Sequence, residues 1–438
     1  MARKMARAED PDREGKQQSL LRAQLARREA LLGPTYRLFY EEPLHVVRGD
    51  GVFLYDPEGR PYLDAYNNVP CVGHSNPRVA AAVSEQMATL NTHTRYLEDG
   101  ILDYAEALLE SLGSGLRHAV FTCTGSEAND LAARIAMHNT GRRGFVVTRW
   151  AYHGNSYLTA GLSPALGNGF PDPPSLRRIP APDTGADEED DLVEAIADEF
   201  EGAIESLERD GHGFAAFIAD SLFASDGIYA RPQGLLKRLA EIARRRGGLF
   251  IADEVQSGFG RSGERFWGFE RHHAEPDIVT MGKPMGNGYP IGATAISAEV
   301  IAAFGEQSRY FNTFGGSPVG IAAAQTTLDV INDEGLLENA EQVGKLIKSG
   351  LNDIAARHAE ISEIRGAGLY IGADIQDPVS GNPDPAGAKR IVNRMKAAGT
   401  LISTTGERAS TLKIRPPLIF NAVHAEQLLE TLETALNP

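Results

Sequence analysis

Two charged residues, each at the end of a short apolar run, carry the most specific chemistry in this chain. Gly248-Leu-Phe-Ile-Ala252 leads into the acidic pair Asp253 and Glu254, and Asp277-Ile-Val-Thr-Met-Gly282 leads into Lys283, with a loop rich in glycine and aromatics between them. A buried strand that delivers a carboxylate at its C-terminal edge, followed by one that delivers an amine, is how open α/β sheets build sites beyond their strand ends. One cofactor chemistry needs both groups. Pyridoxal phosphate is bound as a Schiff base by a lysine, and a carboxylate keeps its pyridine nitrogen protonated so that the ring withdraws electrons. Lys283 and Asp253 are the candidate pair.

A third stretch fits the same chemistry. Phe121-Thr-Cys-Thr-Gly-Ser-Glu-Ala-Asn-Asp130 reads as a strand entering a helix through Gly125 and Ser126. The free amides and dipole of a helix start attract phosphate, and a hydroxyl adds a further bond; Ser126 as an ordinary helix cap is the plainer alternative. Trp150-Ala-Tyr-His-Gly154 follows the next strand at the same sheet edge, where Tyr152 or His153 could lie flat on a pyridine ring. Gly258-Phe-Gly-Arg-Ser-Gly263 matches a dinucleotide fingerprint as a string only, because no helix of the required kind follows it.

The elements that must position these groups follow from the pattern around them. Val120-Phe-Thr-Cys, Gly144-Phe-Val-Val, Ala215-Ala-Phe-Ile, Leu249-Phe-Ile-Ala and Ile278-Val-Thr-Met read as buried strands alternating with helical segments, which argues an α/β fold with a mostly parallel sheet. Upstream, a polar tail and a leucine-bearing helix expected to dock precede a small antiparallel meander over residues 45–64. Helices are expected over 76–90 and 103–112, and an acidic run, Asp187 to Asp191, opens another that continues to about Arg209. Helices over 318–333 and 337–356 lead into a C-terminal α+β lobe containing Gly368-Leu-Tyr-Ile, a helix through 386–398, the strand Thr411-Leu-Lys-Ile-Arg415 and a terminal helix from Val423.

Composition narrows the class further. The chain has 438 residues, 42% hydrophobic, and 43 Lys plus Arg against 59 Asp plus Glu, a net charge of −16. That length supports a large core, and that charge disfavours nucleic acid or acidic membrane as a whole-surface partner. Cys71 and Cys123 are the only cysteines and lack metal or disulfide spacing, which points to a reducing compartment without a metal site. There is no spanning apolar run and no signal-peptide core, so a cytoplasmic location is expected.

The quoted motifs, together with Phe311-Asn-Thr-Phe-Gly-Gly-Ser-Pro-Val319, resemble the class III, fold type I aminotransferase family from about Gly49 to Asn437. The resemblance implies a large cofactor-binding domain over 71–330 and a small α+β domain from both termini, residues 1–70 and 331–438. It implies Lys283 as the Schiff-base lysine, Asp253 on the pyridine nitrogen, Gln256 near the ring hydroxyl and Tyr152 stacked on the ring. Gly125, Ser126 and Thr313 of a second subunit would hold the cofactor phosphate, which implies a homodimer with shared sites, possibly paired into a tetramer.

The substrate side departs from the transaminating pattern. Those members commonly place an arginine before Pro-Pro-Leu to fork onto a carboxylate; the corresponding residue here is Lys413. A Glu-Pro pair with a second glutamate five residues on is replaced by Asp220-Ser221 and Ser225. Losing that switch suggests a reaction with one substrate rather than two in turn. Tyr66-Asn-Asn-Val69 and Leu412-Lys-Ile-Arg-Pro-Pro417 resemble the branch that eliminates phosphate from O-phosphoethanolamine. Lys413, Arg415 and Arg95 are the candidate phosphate ligands, with solvated bases on an edge strand as the plainer reading for Lys413 and Arg415; an ω-aminotransferase using pyruvate or glyoxylate is the alternative function.

Overall fold

The computed structural model describes residues 11–437 apart from 114, 168 and 184–188. The first ten residues, read as a frayed tail, and Asp187 and Glu188 of the acidic run lie outside the described residues.

The central sheet has seven strands in the spatial order 118–122, 292–296, 278–281, 249–253, 214–220, 144–148 and 176–179. Every neighbouring pair among the last five is parallel, while Gly292–Ile296 runs antiparallel to both its neighbours. The sheet is buried on both faces, so successive residues of one strand serve opposite cores. Phe217, Phe250, Val279 and Met281 pack into one cluster, and Ile218, Ile251 and Ile278 into the other.

Two strands of this sheet escape the sequence pattern. Gly292-Ala-Thr-Ala-Ile296 consists mostly of small residues, and Leu176-Arg-Arg-Ile179 carries two arginines because it is an edge strand that can expose them. The helices form close to where expected, including Pro77–Thr89 behind the Asn76 cap, Pro318–Asp333 behind Ser317, and Glu189–Arg209 with three acidic residues in its first described turn.

Two smaller four-stranded sheets flank the large one. The meander Arg48–Asp50, Phe53–Tyr55 and Pro61–Asp64 gains a fourth, parallel strand from Thr400–Leu401, so the two ends of the chain share a sheet. The other is antiparallel: Ile361–Ala367, Tyr370–Ile375, Thr411–Ile414 and Ser403–Thr405. Thr411–Ile414 is therefore an interior strand, not an edge. The leucine-bearing helix forms over Pro11–Leu32 and docks only in part: Leu20 and Leu31 are 57% and 69% exposed, while Leu21 and Leu25 are half-buried and Gln24 Nε2 lies 3.5 Å from His45 Nε2. No helix among the described residues is long and apolar enough to cross a membrane.

Candidate active site

Strand register assembles the acidic side of the site. Asp220, Asp253 and Thr280 are direct partners on three adjacent parallel strands, so their side chains line up at one level on one face. Two carboxylates side by side repel when both are ionised. Asp253 Oδ2 accepts from His153 Nδ1 at 2.7 Å and from Asn129 Nδ2 at 2.8 Å, and its Oδ1 accepts from the Val255 amide at 3.0 Å. The Asp220 carboxylate accepts only the Leu222 amide, at 2.8 Å, among the described residues. Burial, and then the Asp253 charge, push its carboxyl up to about 6.

Asn129 locks this arrangement from a helix. Its Nδ2 also donates to the His153 carbonyl at 2.8 Å, and its Oδ1 accepts from Thr280 Oγ1 at 2.5 Å. Asn129 lies four residues after Gly125, one turn into Gly125–Thr140. A polar residue on the buried face of that helix is the one sequence signal that could have found it. His153 Nδ1 pairs with Asp253 while its buried Nε2 has no partner among the described residues, and of the two rings considered for stacking Tyr152 is the one set against the amine: Lys283 Nζ lies 5.9 Å from its ring centre.

Lys283 follows strand Ile278–Met281 by two residues. Burial, and then Arg415, lower its ammonium to about 8, against the pull of Asp253 and Asp220. An amine tuned to that range can hold or release a proton near neutrality.

Opposite the carboxylates, the helix Gly125–Thr140 begins at the mouth of the cleft. Its cap is Thr124, whose Oγ1 accepts the Glu127 amide at 3.1 Å, so Ser126 is not the N-cap. Ser126 Oγ is instead paired with Asn155, through its amide and its side chain, both at 3.2 Å. The Gly125 and Ser126 amides stand in the first turn, where no intrahelical acceptor exists. Gly154 closes the wall with φ +135°, and a Cβ there would come within 2.6 Å of Ser126 Oγ. Thr124, Gly125, Ser126, Asn129, Tyr152, Asp253, Gln256 and Lys283 are among the residues lining one cavity of about 190 Å³. An anion-attracting helix end, a ring for stacking, a buried carboxylate and an amine share this cleft, and the set fits pyridoxal phosphate.

The basic residues separate into two groups. Lys413 and Arg415 are 7% and 5% exposed, which overturns the reading of solvated bases on an edge. Arg415 donates from Nη1 to Gln256 Oε1 and from Nε to the Tyr66 carbonyl at 3.2 Å, with its guanidinium over the Tyr66 and Tyr370 rings. Tyr370 also donates to Gln256 Oε1, at 3.0 Å. Lys413 Nζ lies 5.6 Å from the Tyr370 ring centre and makes no hydrogen bond or ion pair among the described residues. Burial, then Arg415 and Lys283, hold its ammonium well below the usual lysine range, with Asp220 opposing them. Lys413 and Arg415 stand behind the cleft wall, which Arg415 reaches through Gln256; Arg95, by contrast, is exposed and lies over the Phe311 ring at 3.9 Å. Thr313 is likewise exposed, outside the cleft of its own chain.

Residues 39–436 match the class-III aminotransferase family. An alanine–glyoxylate aminotransferase 2-like protein of Drosophila melanogaster is 37% identical over 412 residues, covering 91% of this chain and 83% of that one. An ethanolamine-phosphate phospho-lyase homolog of Caenorhabditis elegans is 37% identical over 434 residues, covering 94% and 92%. Among solved structures, a phospholyase from Arthrobacter in complex with phosphoethanolamine superposes with a TM-score of 0.92 at 44% identity, over 94% of this chain and 99% of the other.

Proposed function

The chain belongs to the class-III aminotransferases, fold type I enzymes that work with pyridoxal phosphate, and we propose that within that family it is a lyase. Its reaction on this reading is elimination of phosphate from O-phosphoethanolamine, or a related small phosphorylated amine, followed by hydrolysis of the resulting enamine by water, to give aldehyde, ammonia and phosphate.

The observation that carries the proposal is Lys413. A buried ammonium without a counter-ion is costly, yet Lys413 has no ion pair among the described residues and stands beside a second buried base, Arg415. A buried guanidinium and a buried amine whose protonation a bound anion would favour, with one neighbouring carboxylate, Asp220, are suited to a dianion such as a phosphate monoester. The Arthrobacter phospholyase solved with phosphoethanolamine, and the Caenorhabditis elegans relative, support the same reading.

In this assignment Gly125, Ser126 and the partner copy's Thr313 hold the cofactor phosphate, Tyr152 lies on the ring, Gln256 approaches the ring hydroxyl and Asp253 holds a proton on the pyridine nitrogen. Pyridoxal phosphate, when bound, supplies an electron sink for the carbon that bears the substrate amine. Lys283 Nζ takes the proton from that carbon. Lys413 and Arg415 stabilise the negative charge that grows on the phosphate as its bond to the next carbon breaks. His153 and Asn129 keep Asp253 fixed throughout.

The test is release of inorganic phosphate and acetaldehyde from O-phosphoethanolamine by the cofactor-loaded protein with no amino acceptor present. Sustained turnover is expected, and Lys283→Ala should abolish it together with the absorbance of the lysine-bound cofactor. The relative named as an alanine–glyoxylate aminotransferase supports the second reading. Absence of phosphate release, with alanine or glycine forming once an amine and pyruvate or glyoxylate are supplied, would replace the lyase by an aminotransferase.

A further inference from the structure

Asn68 is 1% exposed, and neither its Nδ2 nor its Oδ1 has a hydrogen-bond partner among the described residues. A buried amide with both ends unpaired is costly, and proteins rarely leave one without a reason. The neighbouring Asn67 shows what an asparagine needed by the turn itself looks like. Its Nδ2 donates to Asp64 Oδ2 at 2.9 Å, and the amides of Tyr66 and Asn67 both donate to Asp64 Oδ1, at 3.1 and 3.0 Å. Asp64 thus satisfies the turn, and Asn68 is left over.

The segment that carries Asn68 is pinned at both ends to the site. At one end the Tyr66 carbonyl accepts from Arg415 Nε, whose guanidinium also reaches Gln256 in the wall of the cleft. At the other, Cys71 Sγ donates to the carbonyl of Pro284, the residue after Lys283, at 3.1 Å, and the Val72 amide donates to Asn287 Oδ1 at 3.0 Å. Between those anchors the chain has only four residues, so Asn68 is confined between Arg415 and the Lys283 strand end. Arg415 Nη2 and Lys413 Nζ lack partners among the described residues, as Asn68 does.

We propose that Asn68 is a specificity-determining residue, whose Nδ2 donates to an oxygen of the substrate's phosphate group alongside Lys413 and Arg415. This rests on the phospho-lyase reading and deepens it. A neutral donor adds a directed bond to the phosphate without adding a third buried cation beside Lys413 and Arg415, which already repel each other. The ligand class it selects is a phosphate monoester of a small amine, in preference to a carboxylate with fewer acceptor oxygens.

The experiment uses the cofactor-loaded enzyme and reads KM and kcat for phosphate release from O-phosphoethanolamine, with inhibition by inorganic phosphate as a readout independent of turnover. Asn68→Asp is isosteric and sets a negative charge against the phosphate; Asn68→Leu keeps the volume and removes the donor. Both should weaken inhibition by inorganic phosphate and raise KM by about ten- to a hundredfold, with a smaller change in kcat and unaltered cofactor absorbance. Asn68→Leu should also be at least as thermally stable as the parent, because an apolar side chain removes the unpaired amide. Unchanged phosphate inhibition in a folded Leu or Asp variant would overturn the role. So would loss of cofactor or a change of oligomeric state in both variants, which would make Asn68 structural. A parent enzyme that neither releases phosphate nor is inhibited by it would instead bring down the lyase reading itself.

Discussion

On the proposed reading, Lys413 is an amine whose protonation shifts when the phosphate arrives. Burial and the nearby Arg415 and Lys283 favour its neutral form, whereas a phosphate dianion beside it favours the charged form. Binding therefore takes up a proton at any pH above the depressed value. Above about pH 8, where inorganic phosphate is already mostly dianionic, the sign follows: affinity falls as pH rises, by up to about tenfold per pH unit. Inhibition of the enzyme by inorganic phosphate, followed upward from about pH 8, should weaken with that sign. Lys413→Arg should flatten the dependence, because guanidinium stays charged across the range, and a profile identical in the two proteins would remove Lys413 from the phosphate site. Lys283 and Asp253 are legible in the sequence because each stands where an apolar strand stops, and Lys413 because it is a charge set inside the short run Thr411–Ile414. Asn129 is not, because its meaning comes from Asp253, 124 residues away, and from Thr280, 151 residues away. The surroundings of Arg95 are hidden for a similar reason: its charge is visible in the sequence, but its packing on Phe311 is not.

At the scale of elements, the loop between strands Leu249–Asp253 and Ile278–Met281 is held by the second residue of the acidic pair. Glu254 is fully buried and accepts from Ser221 Oγ at 2.5 Å and from the amides of Gly268 and Phe269 at 2.8 and 2.9 Å. It thereby ties the end of strand Leu249–Asp253 to the turn that leads toward Lys283. Glu254→Ala leaves two backbone amides without an acceptor and should cost about 2–5 kcal/mol of stability, seen as a lowered unfolding midpoint. Burial also pushes the Glu254 carboxyl up to about 7. Because the folded value lies above the unfolded one, near 4.5, the folded protein holds the extra proton. That contribution is complete below about pH 4.5 and is lost as pH rises to about 7, up to about 3 kcal/mol in all. Urea unfolding of Glu254→Gln at pH 5 and pH 8 should show the variant gaining on the parent at the higher pH; equal shifts at both would assign the carboxylate no such linkage. Strands with branched or aromatic runs, such as Leu249–Asp253, announce themselves in sequence. Gly292–Ile296 does not, since small residues become a strand only by lying between two neighbours that are already there.

At the scale of the whole molecule, one chain leaves unburied what the proposed dimer would use. Leu97 is fully exposed at 100%, Phe314 is 71% exposed and Tyr96 66%, and they flank the exposed Thr313 and Arg95 on two neighbouring segments. A net charge of −16 opposes self-association, so in the proposed dimer apolar contact of this kind would supply the attraction. None of this is readable from spacing, because exposure is a property of the folded surface; the sequence offered only the motif resemblance that implied a shared phosphate cup. On the proposed arrangement, cofactor retention depends on assembly. Leu97→Asp combined with Phe314→Asp should give a monomer by sedimentation and release pyridoxal phosphate on dialysis, while Thr313→Ala should remain a dimer and hold the cofactor less tightly. The double variant's own Gly125, Ser126, Asp253 and Lys283 are untouched, so loss of cofactor there would trace to the missing partner. A monomer that keeps its cofactor as tightly as the parent would show that each cleft is complete within one chain and that Thr313 has no part in it.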